Sequence, residues 1–223
     1  MKQQSEALNV ISILKQEYGR SFHRNEDPFF VLIFTVLSAR NRDAQTYKAA
    51  TTLFSKFPTM KSLAAGKISE IEATIKFIGL FRQKAKRVKA ISQQLLQKYG
   101  GKVPDYMEEL LELPGVGRKT AACVLIYAFN KPAIAVDTHV HRISNRIGLV
   151  KSKTPEQTEA ALMLLLPKDK WLDINELFVK HGQQVCLPIR PKCAVCPVKG
   201  YCNYYKSNKT FFSRRRGLSK TFK

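Results

Sequence analysis

Glu109-Leu110-Leu111-Glu112-Leu113-Pro114-Gly115-Val116-Gly117-Arg118-Lys119-Thr120-Ala121-Ala122 is the stretch from which the rest of the chain can be read. It has three parts. A short amphipathic helix comes first. Pro-Gly-Val-Gly then makes a tight turn, where glycine permits positive φ and close approach of another backbone. A second helix begins at about Arg118. Its first amides have no intrahelical partner and point outward at the positive end of the helix dipole, where a phosphate fits. Gly115, Val116, Gly117 and Arg118 thus form a helix–hairpin–helix, a sequence-tolerant grip on a nucleic-acid backbone.

The helix that follows the hairpin, Lys119 to Phe129, is apolar on nearly every side after its first turn and belongs at the centre of a bundle. Asn130-Lys131-Pro132 closes it. Helical spacing recurs elsewhere. Leu8, Ile11, Leu14 and Tyr18 are followed by Gly19, and Val88, Ile91, Leu95 and Tyr99 by Gly100-Gly101. Thr154-Pro155-Glu156-Gln157 reads as a helix start with a capping box. Trp171, Ile174, Phe178 and His181 mark another stripe. No alternating strand and no hairpin-joined strand pair is visible, so the fold class is all-α.

Lys119 sits at the positive helix end beside Arg118, and both oppose a further positive charge there. A lysine must shed its proton to act as a nucleophile. Contact with a phosphate is the other role open to it, and local chemistry alone favours that. Asp137, in Ala133-Ile134-Ala135-Val136-Asp137-Thr138-His139-Val140-His141, is placed to cap the next helix. A capping carboxylate facing a helix-end lysine would form an acid–base pair. His139 and His141 lie two apart and do not share a helix face, which argues against a zinc pair there.

Cys186, Cys193, Cys196 and Cys202 form a C-x6-C-x2-C-x5-C array. Four thiols so close in an intracellular protein point to metal rather than disulfides. Zinc and a [4Fe–4S] cluster both take four cysteines. A zinc ribbon pairs two C-x-x-C hooks, and here only Cys193 and Cys196 make one, so the spacing leans toward iron–sulfur. Cys123 stands apart on the apolar helix as a packed thiol.

The whole chain is strongly basic, with 38 Lys+Arg against 17 Asp+Glu and a net charge of +21 over 223 residues. That excess suits a polyanionic partner, nucleic acid before membrane surface. The N-terminus lacks the apolar stretch of a signal peptide. The longest apolar run, Phe29 to Leu37, is far short of the ~20 residues that span a bilayer. A soluble, cytoplasmic, nucleoid-associated protein is expected. From Asn203 the chain becomes basic without acids, a tail over 206–223 that is either a solubilising end or a DNA contact.

The LPGVGRKTA hairpin, the AVDTHV helix start and the cysteine array, in this order, resemble the endonuclease III family of helix–hairpin–helix DNA glycosylases. The likeness runs over roughly residues 5 to 205. It implies two helical domains with a DNA-binding cleft between them: a helical barrel over 22–132, and a cluster domain from 1–21 and 133–205 that holds a [4Fe–4S] cofactor. It also implies a monomer acting on double-stranded DNA with damaged bases or abasic sites, with no membrane role. Lys119 and Asp137 match the family's catalytic pair, which removes oxidised or ring-saturated pyrimidines and cuts the strand by β-elimination through a lysine Schiff base.

Two further segments resemble the family's duplex-wedging loops. In Ile78-Gly79-Leu80-Phe81, Leu80 would insert into the duplex beside the extruded base. Leu37-Ser38-Ala39-Arg40-Asn41-Arg42-Asp43 matches a loop that often carries glutamine where this chain has Arg40. Arg40 could reach the orphaned partner base only as a donor, or could contact phosphate. Mismatch-specific adenine or thymine glycosylases on this scaffold typically lack the lysine. A non-catalytic DNA-binding module would not depend on Lys119 at all.

Overall fold

The computed structural model describes residues 2–19, 26–41 and 43–208. In chain order the helices are α1 (Lys2–Tyr18), α2 (Pro28–Ser38), α3 (Asp43–Lys56), α4 (Met60–Ala65), α5 (Ile68–Ile75), α6 (Phe81–Lys98), α7 (Met107–Leu111), α8 (Arg118–Tyr127), α9 (Thr138–Ile147), α10 (Pro155–Leu165), α11 (Lys168–Gln184) and α12 (Asn203–Ser207). A single 3-10 turn spans Cys193–Val195, and the described residues contain no strand. The all-α expectation holds. Lys206 and Ser207 end α12, while residues 209–223 of the expected basic tail lie outside the described residues. No described helix is long and apolar enough to cross a membrane.

The chain divides into two compact units, His23–Ala133 and the pair Met1–Phe22 with Ile134–Lys223. The middle unit is built on α2 and α8. Pro28 occupies the first turn of α2, and Asp27 caps it by accepting from the Phe30 amide at 2.7 Å. Seven of the eleven residues of α2 are buried, because it packs against α3, α6 and α8. Six consecutive residues of α8, Ala121 to Ile126, are buried, so this helix is surrounded, as its apolar sequence predicts. It is shorter than the sequence suggests: it ends at Tyr127, and Lys131 closes the turn by donating to the Leu125 carbonyl.

The other unit joins the two ends of the chain. Val10, Ile11 and Leu14 of α1 share one core with Val140, Ile143 and Ile147 of α9 and with Ile174, Leu177 and Phe178 of α11. α11 is buried on more than its apolar stripe: Asp173, Asn175 and Glu176 are also inside. Their polar groups have partners. Asn175 donates to the Ala135 carbonyl at 2.8 Å, and Glu176 pairs with Lys180 at 2.8 Å. Thr154 caps α10 as predicted, but Gln157 turns back to the Lys153 amide at 2.8 Å rather than to Thr154 itself. The predicted capping box is therefore displaced by one residue.

Candidate active site and metal centre

In the middle unit the hairpin joins α7 to α8. Gly115 has φ +75°, a left-handed conformation that side chains resist, and Val116 donates to the Leu113 carbonyl at 3.0 Å to close the turn. Gly117 is extended rather than left-handed and stands at the N-cap of α8. It has no side chain with which to cap that first turn. Val116 is buried and pins the turn, while Gly115, Gly117 and Arg118 are exposed. Lys119 is the second residue of α8 and is half-buried.

Arg87, on α6, lies against this turn. A Cβ placed on Gly115 would come within 2.6 Å of Arg87 Nε and 2.7 Å of its Cδ. The glycine is thus needed twice, for its φ and for the arginine stem. Sequence reading did not single out Arg87. The only available signal was its place in the basic run Lys84, Lys86, Arg87, Lys89, where nothing marks it from its neighbours. One turn before it, Lys84 is buried with an Nζ that has no hydrogen-bond partner among the described residues. Burial pushes its ammonium down to about 8, with Arg87 adding to the effect.

The two segments matched to wedging loops also meet in this unit. Arg40 and Leu80 are both exposed, and both have φ +57°. Non-glycine residues adopt this region at a cost of roughly 1–3 kcal/mol each unless their surroundings hold them there. The holding group is Asn41. Its Oδ1 accepts from the Gly79 amide at 3.1 Å and its Nδ2 donates to the Leu37 carbonyl at 3.2 Å. Arg42 lies outside the described residues.

In the terminal unit Asp137 is the N-cap of α9, accepting from the Val140 amide at 2.8 Å, and is half-buried. His139 and His141 turn to different partners, Arg142 at 3.1 Å and Thr158 at 2.6 Å. The same helix grips the cysteine loop. Arg142 donates to the Cys186 carbonyl at 2.8 Å, and Arg146 donates to the carbonyls of Leu187 and Pro188 at 2.7 and 2.8 Å. Cys202 Sγ donates to the Arg146 carbonyl at 3.3 Å.

Cys186, Cys193, Cys196 and Cys202 line one cavity, together with Arg146, His181, Tyr204 and Tyr205. None of them is in a disulfide. Among the described residues no three of His, Cys, Asp or Glu converge closely enough to hold a single metal ion. Burial pushes the Cys193 thiol up to about 11 and the Cys196 thiol up to about 12, and raises Cys202 as well. Neutral thiols are favoured there until a cation offsets the burial. His181, whose burial pulls it down to about 4, bridges Tyr18 Oη at 2.9 Å and Cys196 Sγ at 3.7 Å.

Comparison with known proteins places these features. Residues 33–168 match the family described as HhH-GPD superfamily base excision DNA repair protein. Endonuclease III of Thermotoga maritima is 52% identical over 200 residues, covering 88% of this chain and 94% of the relative. A trapped endonuclease III–DNA covalent intermediate is similar in structure, with TM-score 0.86 and 34% identity over 92% of this chain and 98% of that one. A thermostable thymine-DNA glycosylase is similar with TM-score 0.81 and 30% identity, again over 92% and 98%.

Proposed function

The chain belongs to the endonuclease III family and is a base-excision DNA glycosylase with AP lyase activity, and we propose that Lys119 is its nucleophile and Asp137 the carboxylate that works with it. The observation that carries this reading is the position of Lys119. It is a half-buried amine in the first turn of the helix that opens from the hairpin, where a bound backbone would bring deoxyribose to it.

The proposed sequence begins with a flipped nucleotide, because C1′ is out of reach while the base is stacked. Asp137 relays the proton of the Lys119 ammonium to water and, ionised again, stabilises the positive charge that develops on the sugar. The Nζ lone pair forms a bond to C1′ as the C1′–N bond breaks, and its electrons leave with the base, which is protonated by water. Ring opening gives a Schiff base. Loss of a proton from C2′ then breaks the C3′–O bond and releases the phosphate, cutting the strand on the 3′ side. Hydrolysis of the imine frees Lys119.

The substrate is double-stranded DNA with an oxidised or ring-saturated pyrimidine, or an abasic site, bound by a monomer. Gly115, Val116, Gly117 and Arg118 hold its backbone, and Arg40 and Leu80 enter the duplex. Cys186, Cys193, Cys196 and Cys202 hold a [4Fe–4S] cluster. All four cysteines line one cavity, and their C-x6-C-x2-C-x5-C spacing, with a single C-x2-C hook, supports the cluster over a zinc ribbon. When bound, the cluster cross-links the loop that α9 grips, and so steadies the helix that begins at Asp137. Cleavage of duplexes that each carry one defined lesion tests the reading: excision with strand scission at pyrimidine lesions supports it. The likeness to a thymine-DNA glycosylase favours a second reading, removal of mismatched thymine. Release of thymine from G·T pairs, with pyrimidine lesions left intact, would establish that instead.

A further inference from the structure

Asn41 ties together two exposed side chains that the proposed function sends into the duplex. Its amide is used at both ends. Nδ2 donates to the Leu37 carbonyl, one of the last orphan acceptors of α2, and Oδ1 accepts from the Gly79 amide, 38 residues away. The backbone of Asn41 also donates to the Ser38 carbonyl at 3.0 Å, so the residue itself is fixed on the end of α2. Arg40 immediately precedes this clamp on one loop, and Leu80 immediately follows it on the other. Both sit at φ +57°. The approach is close: a Cβ on Gly79 would meet Asn41 Oδ1 at 3.3 Å. Ile78 is buried and donates to the Ile75 carbonyl at 3.1 Å, which anchors the far side of the turn to α5.

We infer that Asn41 is a positioning residue for base extrusion: it sets the spacing between Arg40 and Leu80, so that one side chain faces the orphaned base while the other holds the gap open. This rests on the wedging role proposed above for those two residues. Neither loop can hold this spacing alone. Without the Asn41 side chain the Gly79 amide returns to water, and Leu80 loses the contact that orders its left-handed turn. Shallow insertion would slow extrusion and blur discrimination between opposite bases, while the chemistry at C1′ would be untouched once the nucleotide is out.

The test is a double-mutant cycle on single-turnover base removal from a lesion duplex, using wild type, Asn41→Ala, Leu80→Ala and the double variant. Asn41→Ala is expected to slow removal about tenfold in the wild-type background and less than twofold in the Leu80→Ala background. It is also expected to flatten the rate differences among the four opposite bases. With 2-aminopurine opposite the lesion, the fluorescence rise that reports unstacking of the orphaned base should fall with the rate. Borohydride trapping on single-stranded abasic DNA needs no wedge and reports separately on folding and on Lys119, so failure of the catalytic reading would show there and not in the cycle. An Asn41→Ala effect of equal size in both backgrounds, or an unchanged rate and opposite-base order in the wild-type background, overturns the inference.

Discussion

The stem of Arg87 runs across the face of Gly115, close enough that a Cβ on the glycine would press within 2.6 Å of the guanidinium nitrogen. The hairpin and α6 are therefore fitted to each other, and a cationic side chain is delivered to the turn proposed to hold DNA backbone. Arg87→Gln should weaken DNA binding at low salt and reduce the slope of log K against log[salt] by about 0.9, the loss of one phosphate contact. Binding titrations at several salt concentrations measure this. An unchanged slope would assign Arg87 to packing alone.

Gly115→Ala should be worse than loss of the arginine. It forces a side chain into φ +75° and displaces Arg87 at once. The conformational part alone is about 1–2 kcal/mol. Binding to undamaged duplex should fall more than in Arg87→Gln, with a smaller drop in melting temperature than a core substitution causes. If a second change, Arg87→Ala, restores binding to Gly115→Ala, the clash rather than the backbone angle is the dominant defect.

Lys84 offers a stability test with a defined sign. Its ammonium is buried with no hydrogen-bond partner among the described residues, and the folded protein lowers it from 10.5 to about 8. Between about pH 8 and 10.5 the unfolded chain holds a proton that the folded chain has released, so this group makes stability rise with pH across that window. Below about pH 8 both states are protonated and the full penalty remains, on the order of 3 kcal/mol. Lys84→Met should be more stable than wild type at pH 7, and the gap should narrow toward pH 10. Urea unfolding at the two pH values checks it. A methionine variant less stable at pH 7 would mean that the amine has a favourable partner in solution.

The cysteine loop is predicted to support α9. Cys193→Ala should lower iron content and the broad visible absorbance of the purified protein. Because Arg142 and Arg146 hold that loop from the helix that begins at Asp137, base excision should fall with it. Iron analysis and single-turnover kinetics on the same preparation test the linkage. A colourless, zinc-loaded wild type would contradict the cluster.

Local chemistry was legible in the sequence, and contacts between distant segments were not. The hairpin, the Thr154 cap and the Asp137 cap each depend on residues three or four apart, so their side-chain types announce them. Spacing marked the four cysteines in the same way. Asn41 and Gly79 are 38 positions apart, and no pattern in either segment points to the other. Arg87 and Lys84 sit in one basic run, yet one reaches the hairpin and the other is buried, which only the packing of α6 decides. On α11 the apolar stripe was visible, but nothing in it announced that Asp173, Asn175 and Glu176 are buried as well, because their burial depends on the elements packed around the helix. Arg40 matched a family loop at a position where the side chain differs, and its left-handed backbone became apparent only in three dimensions.

Asp137 should separate binding from chemistry. Asp137→Asn keeps an oxygen to cap α9 but loses the negative charge. Base removal should fall by at least a hundredfold, with DNA affinity changed less than threefold. Gel-shift titration beside single-turnover excision measures both, and a parallel loss of affinity would assign Asp137 to capping alone.

Borohydride reduction during reaction with abasic DNA decides whether Lys119 is the nucleophile. Wild type should yield a covalent protein–DNA adduct whose attached residue, by peptide mass analysis, is Lys119, and Lys119→Ala should yield none while still binding DNA. An adduct of undiminished yield in Lys119→Ala would contradict the assignment.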